Sequence, residues 1–497
     1  MKFRLRPFFK DILLTFFTQA IILIALIFVY RLIAQNFGPE GLGEYSLIKR
    51  AISFLQPILL LGLGVSIPRY IAISENKEER SGYMKSGGLA LGVFTVFFLI
   101  LINLFKEFFA KIFFGTIDYI NFVLPQSFFL VGSILTAFMY SYFRGRLFVK
   151  TFNFLHIINL ALVPFIIIIF FEEIAIEKLI TLIGLITFLI AFIFFIFSVK
   201  EFFIFLPKWQ IKKAWDELLK YGAPRLPGDF ALAGLLSLGP IFAAHFVSIQ
   251  EVGYLSVSQS LLYTVGAVMA PLGLVLLPKV SNLIANGKQE MIKDNLNFLI
   301  AAIIQCSVFL CVQSIIFADI IIKYWLGAEF LNAVPVMRII FLSIFFYIFY
   351  VAIRSVLDAV KVKPLNTINL FMSLGVFLGI SVILLLLNIF SLIISLSVAF
   401  TSGLICLGVL TYISVRKIYS ENIKNDIYFL GVALAINIFL GGLAIFLKPF
   451  IVLKFHYLIL FIVGIGLIYL LTLWLLKMKW IRQIYKIIFE EYVQNPN

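Results

Sequence analysis

Charge is scarce in this chain. Asp, Glu, Lys and Arg make up 13% of its 497 residues, hydrophobic residues make up 62%, and mean hydropathy is +1.09. That balance excludes an ordinary soluble domain. Cysteine is nearly absent: Cys306, Cys311 and Cys406 all fall within apolar runs, which excludes a disulfide framework and a thiolate zinc site. His156, His245 and His456 are far apart and form no ligand motif. No G-x-x-x-x-G-K-[ST] loop is present, so the chain does not hydrolyse ATP through a P-loop, and H-E-x-x-H, G-x-S-x-G and C-x-x-C are also missing. The sequence therefore calls for no cofactor and no catalytic residue; a proton or sodium ion used for coupling is the one small species it leaves open. Long polar loops are lacking too. This removes the large outer catalytic loop expected of a membrane oligosaccharide polymerase or ligase.

What fills the chain instead is repeated apolar runs of about 20 residues, the length of a membrane-crossing helix. Hydropathy predicts an all-α polytopic membrane protein with fourteen spans. The basic start, Met1 to Lys10, is followed by an apolar run too long for a signal-peptide core and by no small-residue cleavage site, so it reads as a retained first helix. Thirty of the 40 basic residues fall on one side if both termini are cytoplasmic. This bias predicts an N-in, C-in protein of the cytoplasmic membrane. The net charge of +15 then reads as anchoring to anionic lipid, since no soluble basic domain exists to bind nucleic acid.

One polar break organises the rest. Gln35 to Arg50 contains Gly38-Pro39-Glu40-Gly41-Leu42-Gly43, a run that stops one helix and permits a tight reversal, with Ser46 placed to cap the next. A diverged copy begins at Ser248. At an offset of 210 residues Gly43 meets Gly253, Ser46 meets Ser256, Pro68-Arg69 meets Pro278-Lys279, Pro125 meets Pro335, Tyr140 meets Tyr350 and Arg144 meets Arg354. The repeat unit is six helices. Both copies therefore enter the membrane from the same side, as in a parallel repeat about an axis along the membrane normal. The predicted organisation is an N-terminal six-helix lobe (1–200), an amphipathic interfacial linker (201–222), a C-terminal six-helix lobe (223–417), and two extra spans with an amphipathic cytoplasmic tail (418–497). In the linker Ile211, Trp215, Leu218 and Leu219 share one face; in the tail Ile481, Ile484, Ile487 and Ile488 do.

The wording GPEGLGEYSL…LGLGVSIPRY resembles the first hairpin of the polysaccharide (Wzx-like) flippases of the MOP superfamily, relatives of the MurJ and MATE transporters. The resemblance implies two lobes facing a central cavity. It also implies translocation of a polyprenyl-diphosphate-linked oligosaccharide for cell-surface polysaccharide biosynthesis. The partners implied are that lipid-linked substrate, membrane lipids and polysaccharide assembly proteins, with the transporter itself a monomer. A lipid II flippase and a MATE-like cation-coupled exporter are the alternatives within transporters.

Charges inside spans are costly and so are candidate functional residues. Arg31, Lys49 and Arg50 flank the hairpin and are candidates for a cationic patch in the cavity; in the resembling family basic residues of the first two helices line it. A guanidinium suits a diphosphate because it donates in a bidentate fork. The competing role for all three is to snorkel to lipid phosphates. Arg338, which faces Phe128 in the repeat alignment, is a fourth cavity candidate. Asp229 is the acidic residue deepest in a predicted span. It reads either as an ion pair with Arg225 one turn earlier or as a coupling site. Glu44 reads as a brace for Lys49 or Arg50, or as a gate. Pro68 and Pro278 are paired hinge candidates.

Overall fold

The computed structural model describes all residues except 1–4, 172–173, 203, 205, 286–288, 361–364, 420–422, 452–454, 477 and 479–497. The tail expected over 480–492 and the Glu172-Glu173 pair lie outside the described residues. Contacts divide the chain into two units, Met1–Pro271 with Leu370–Gly403, and Leu272–Asn369 with Leu404–Asn497. The described chain is built of helices, in keeping with an all-α membrane protein. Eleven of them are long and apolar enough to cross a membrane, or twelve with one bent pair. Length and apolarity alone thus do not reach fourteen. Two features bear on the difference. The first long helix contains a hairpin, and the last apolar stretch, Leu460–Leu475, is short.

In the first unit, α1 (Leu5–Leu60) is broken at Gly38, whose φ of 64° and ψ of −167° are outside helical geometry. A left-handed φ is accessible to glycine without steric cost. The chain reverses there: the rings of Tyr30 and Tyr45 lie 6.0 Å apart, edge to face. In an unbroken helix these positions would be about 22 Å apart. Then come α2 (Leu63–Ile73), α3 (Lys77–Leu104) and α4 (Lys106–Phe114). The entry to α3 is capped reciprocally: the Glu79 N–H donates to the Asn76 side chain (2.8 Å), and the Glu75 N–H donates to the Glu79 carboxylate (3.1 Å). After α5 (Val123–Gly145), α6 (Val149–Ile157) continues through a π-helical turn, Ile158–Leu162, into α7 (Val163–Phe170), and α8 (Ile176–Phe202) follows.

The linker forms α9 (Lys208–Gly222). The sequence predicts a helix lying in the membrane interface. In the structure it docks on α2 and α3, with Ala214 and Leu218 buried. The Ser86 hydroxyl donates to the Ile211 carbonyl (2.7 Å), and the Tyr83 hydroxyl donates to the Glu217 carboxylate. Trp209, at its start, is exposed. The amphipathic face is thus used largely for packing. Next are α10 (Leu226–Ala243) and α11 (Ile249–Ala285), whose first part belongs to this unit.

The second unit includes α12 (Gln289–Ile316), α13 (Ala318–Trp325), α14 (Val334–Phe341) and α15 (Ile344–Val360); the segments Ala328–Phe341 and Ile344–Asp358 meet at a 52° bend. Then follow α16 (Leu365–Leu387) and α17 (Leu392–Ile418), each shared between the units, and α18 (Ile423–Ile451) and α19 (Phe455–Leu475). The two helices outside the sequence repeat are built into this unit. They close on α12 around Ala301, Phe317, Leu440, Ala444, Ile465 and Leu473. Buried polar groups tie the same helices: the Gln305 amide donates to the Phe429 carbonyl (2.8 Å), and the Tyr469 hydroxyl donates to the Gln305 side-chain oxygen (2.7 Å).

A stronger tie sits at the α17–α18 junction. Arg416 donates from Nε and Nη2 to the two oxygens of Asp426 (2.8 and 2.7 Å) and from Nη1 to Asn297 on α12 (2.7 Å), and the Tyr412 hydroxyl donates to the same carboxylate (2.8 Å). The Arg416 and Asp426 side chains are only 4% and 6% exposed, so solvent cannot replace a lost partner. Removing one member of a buried pair leaves the other charge uncompensated, at a cost of about 3–5 kcal/mol. Arg416→Met is therefore expected to lower the thermal midpoint of the purified protein markedly. Arg416→Met combined with Asp426→Leu should recover much of the loss; unchanged midpoints in the single variant would show that the pair is dispensable.

Candidate functional site

The second half of the hairpin carries two successive cations to two different cavities. Arg50 lines a cavity of about 420 Å³ bounded by α1, the start of α2, α10 and α11; Ser53, Gln56, Asp229, Ser237 and Tyr263 are among its walls. Its guanidinium lies 4.6 Å from the centre of the Tyr263 ring, and Nη2 donates to Ser260 Oγ (3.2 Å). The Tyr263 hydroxyl is fixed in turn, donating to the Leu236 carbonyl (2.6 Å). Arg50 Nε is buried with no hydrogen-bond partner. A buried donor in that state carries a desolvation penalty that a bound anion would relieve.

Lys49 turns the other way. Its ammonium sits over the rings of Tyr45 (5.4 Å) and Tyr30 (5.9 Å), a cation–π arrangement. It lines a cavity of about 360 Å³ within α1, α5, α6 and α8, together with Ser133, Thr136, Tyr140, His156, Asn159 and Thr187. Ser53, Gln56 and Gly64 border both cavities, so the two compartments adjoin.

The remaining sequence candidates are distributed rather than gathered. Arg31 is exposed and lines neither cavity. Among the described residues Glu44 forms no ion pair with Lys49 or Arg50, whose contacts are Tyr30, Tyr45, Tyr263 and Ser260. Asp229 faces the Arg50 cavity and is solvent-accessible. Arg225 folds back on Tyr221, donating to its carbonyl (2.9 Å) with the guanidinium 3.9 Å from the ring centre. Pro68 is buried inside α2. Pro278 lies within α11, in a stretch whose side chains are outside the described ones. Arg338 belongs to the second unit, where its half-exposed guanidinium is 3.9 Å from Asp319, and Lys448 holds that carboxylate more closely (2.6 Å). Sequence reasoning missed Ser260 and Tyr263 as partners of Arg50, although one signal was available: Ser260 is the residue aligned with Arg50 at the 210 offset.

That alignment has a geometric meaning. When equivalent positions of two repeats touch each other, they lie close to the axis relating the repeats. Arg50 bonds Ser260, and Gly43 packs on Gly253. A Cβ at Gly43 would lie 2.1 Å from the Ile249 carbonyl oxygen, and one at Gly253 would lie 2.6 Å from that of Pro39. The hairpin end of the cavity is thus sealed by backbone against backbone. His245 Nε2–H adds to the seal by donating to the Ile112 carbonyl (2.9 Å). Gly43→Ala should force this seal apart. In a protein lacking the three native cysteines, Ser53→Cys should then be labelled faster by an impermeant thiol reagent from the hairpin side; equal labelling with and without Gly43→Ala would refute the seal.

This geometry can be set beside known proteins. The sequence profile of a family described as polysaccharide biosynthesis protein matches residues 8–284. No curated protein sequence matches. Among solved structures, the lipid II flippase MurJ in an inward closed conformation superposes with a TM-score of 0.71 at 17% identity, covering 93% of this chain and 98% of its own. An inward-facing multidrug-resistance MATE transporter of the MOP superfamily superposes at 0.65 and 12% identity, covering 81% and 94%. A MOP-superfamily transporter from Pyrococcus furiosus, described as having a binding pocket of reverse polarity, superposes at 0.52 and 13%, covering 83% and 96%. At such identities the likeness is one of fold. The profile covers more than half of the chain, which places this multi-pass membrane protein in the polysaccharide biosynthesis protein family, on the fold of the MOP-superfamily transporters.

Proposed function

We propose that the protein is a flippase that moves a polyprenyl-diphosphate-linked oligosaccharide across the cytoplasmic membrane by alternating access, with both termini cytoplasmic. The observation that carries this reading is Arg50, a guanidinium in a membrane-embedded cavity whose recorded partners are a hydroxyl and a ring, with Nε unpartnered. A diphosphate presents several anionic oxygens and would satisfy the free donors. The glycan and diphosphate cannot cross hydrocarbon unaided. A polar cavity between the repeat halves would carry them, with the prenyl tail left in the bilayer. The family description agrees with a role in polysaccharide assembly. In proteoliposomes, Arg50→Ala should lower transport of a diphosphate-linked glycan about ten- to hundredfold, the range of a lost charged hydrogen bond. Arg50→Lys should restore part of it, because Lys lacks the planar fork. Wild-type transport in Arg50→Ala would remove the basis of the reading.

Asp229 shares this cavity and gives the coupling step a candidate. Its carboxylate lines the same cavity as Arg50, where a proton or a sodium ion taken up with the cargo would meet it. Asp229→Asn should keep the thermal midpoint within a degree or so, since an accessible side chain contributes little to stability. Its transport should no longer respond to an imposed gradient. A large loss of stability with normal gradient response would instead mark Asp229 as a structural charge.

A further inference from the structure

The Lys49 compartment is left unused by a site that needs only to hold a diphosphate. Several of its polar atoms are buried and lack partners. Asn159 is 5% exposed; its amide N–H donates to Thr136 (2.9 Å), but its side-chain oxygen has no donor. Thr187, 3% exposed, has an unpartnered hydroxyl. His156 Nδ1 is likewise unpartnered, and its ring stacks on Tyr140 at 4.2 Å and 22°. A π-helical turn, of the kind that tends to occur at functional sites, carries Asn159. Among the described residues no Asp, Glu or Arg lines the compartment, and Lys49 is the fixed charge in its wall.

Each feature restricts the ligand. A free acceptor beside a free hydroxyl suits a group that both donates and accepts, as sugar hydroxyls do. The aromatic walls suit the apolar face of a ring. A lone ammonium suits one carboxylate. The volume, about 360 Å³, is that of a small-ligand pocket, and the compartment adjoins the Arg50 cavity at Ser53, Gln56 and Gly64. We propose that this compartment is a saccharide subsite that takes an acidic sugar ring, the one next to the diphosphate of the cargo. This rests on the flippase reading for its place in transport, but not for its chemistry.

The test uses the full-length protein in nanodiscs. Thermal stabilisation is measured with D-glucuronate and D-galacturonate, with the parent hexoses, and with chloride, phosphate and acetate. Uronates are expected to stabilise the wild type at millimolar concentration, hexoses much less and simple anions not at all. Lys49→Met should abolish the preference for uronate over hexose, and Asn159→Leu should weaken uronate binding roughly tenfold, as for one lost polar contact. Should either variant fail to fold, the wild-type comparison still decides, joined by saturation-transfer NMR of the uronate ring protons. Equal effects of uronate and hexose would overturn the proposal. So would a Lys49-dependent effect reproduced by phosphate, chloride or acetate, which would make the compartment a simple anion site. Uronate binding in Arg50→Ala without any diphosphate-lipid transport in the wild type would sink the flippase reading and leave the subsite standing. Arg50-dependent transport with no uronate preference would do the reverse.

Discussion

A charge carried into hydrocarbon must be matched, and the first unit is arranged around how two adjacent charges are matched. Lys49 and Arg50 follow each other on one helix, so successive side chains leave it about 100° apart. One enters a box of tyrosines inside the first helices; the other lies against Tyr263 on a helix of the second repeat. Neither is neutralised by a carboxylate among these contacts. Rings and hydroxyls lower the cost of keeping the cations in place without cancelling their charge. A carboxylate partner would have been better for stability and would have removed the reason for an anion to bind.

The contrast with the second unit is instructive. There Arg416 is matched completely, by both oxygens of Asp426 and by Asn297, and it is almost fully buried. The result is a clamp joining the ends of α17 and α18 to α12. Arg50 and Arg416 are the same side chain in opposite electrostatic states. The one with spare donors borders a cavity, whereas the one without them holds helices together. Arg338 falls between the two, half exposed beside an Asp319 that Lys448 already holds.

Glycine and the repeat act together at the hairpin end. Gly43 and Gly253 are equivalent in sequence and in contact in space, and each faces a carbonyl at a distance that no side chain would allow. Arg50 and Ser260 repeat the relation deeper in the same unit. At that second pair the repeat is asymmetric, a cation facing a hydroxyl.

Several of these features are decided by local sequence. Apolar runs of membrane length set the helical class, because a backbone in lipid must satisfy its own hydrogen bonds. The glycine-rich break fixes the hairpin because left-handed φ values are sterically open to few other residues, and the 210-residue offset names the pairs that later meet. The chemical types of Arg50 and Asp229 were legible for the same reason: a charge in an apolar run stands out without any knowledge of its surroundings. The directions those side chains take were not legible. Tyr30, Tyr45 and Tyr263 look like ordinary apolar-run aromatics until the helices pack. Asn159 and Thr187 look like isolated polar residues, and the pattern of α9 does not name α2 and α3 as the helices it packs on. Pairings across helices depend on rotation about each helix axis, which no local pattern encodes. Whether a buried charge becomes a clamp or a binding group was therefore left to the tertiary structure, which alone determines how many of its donors find partners.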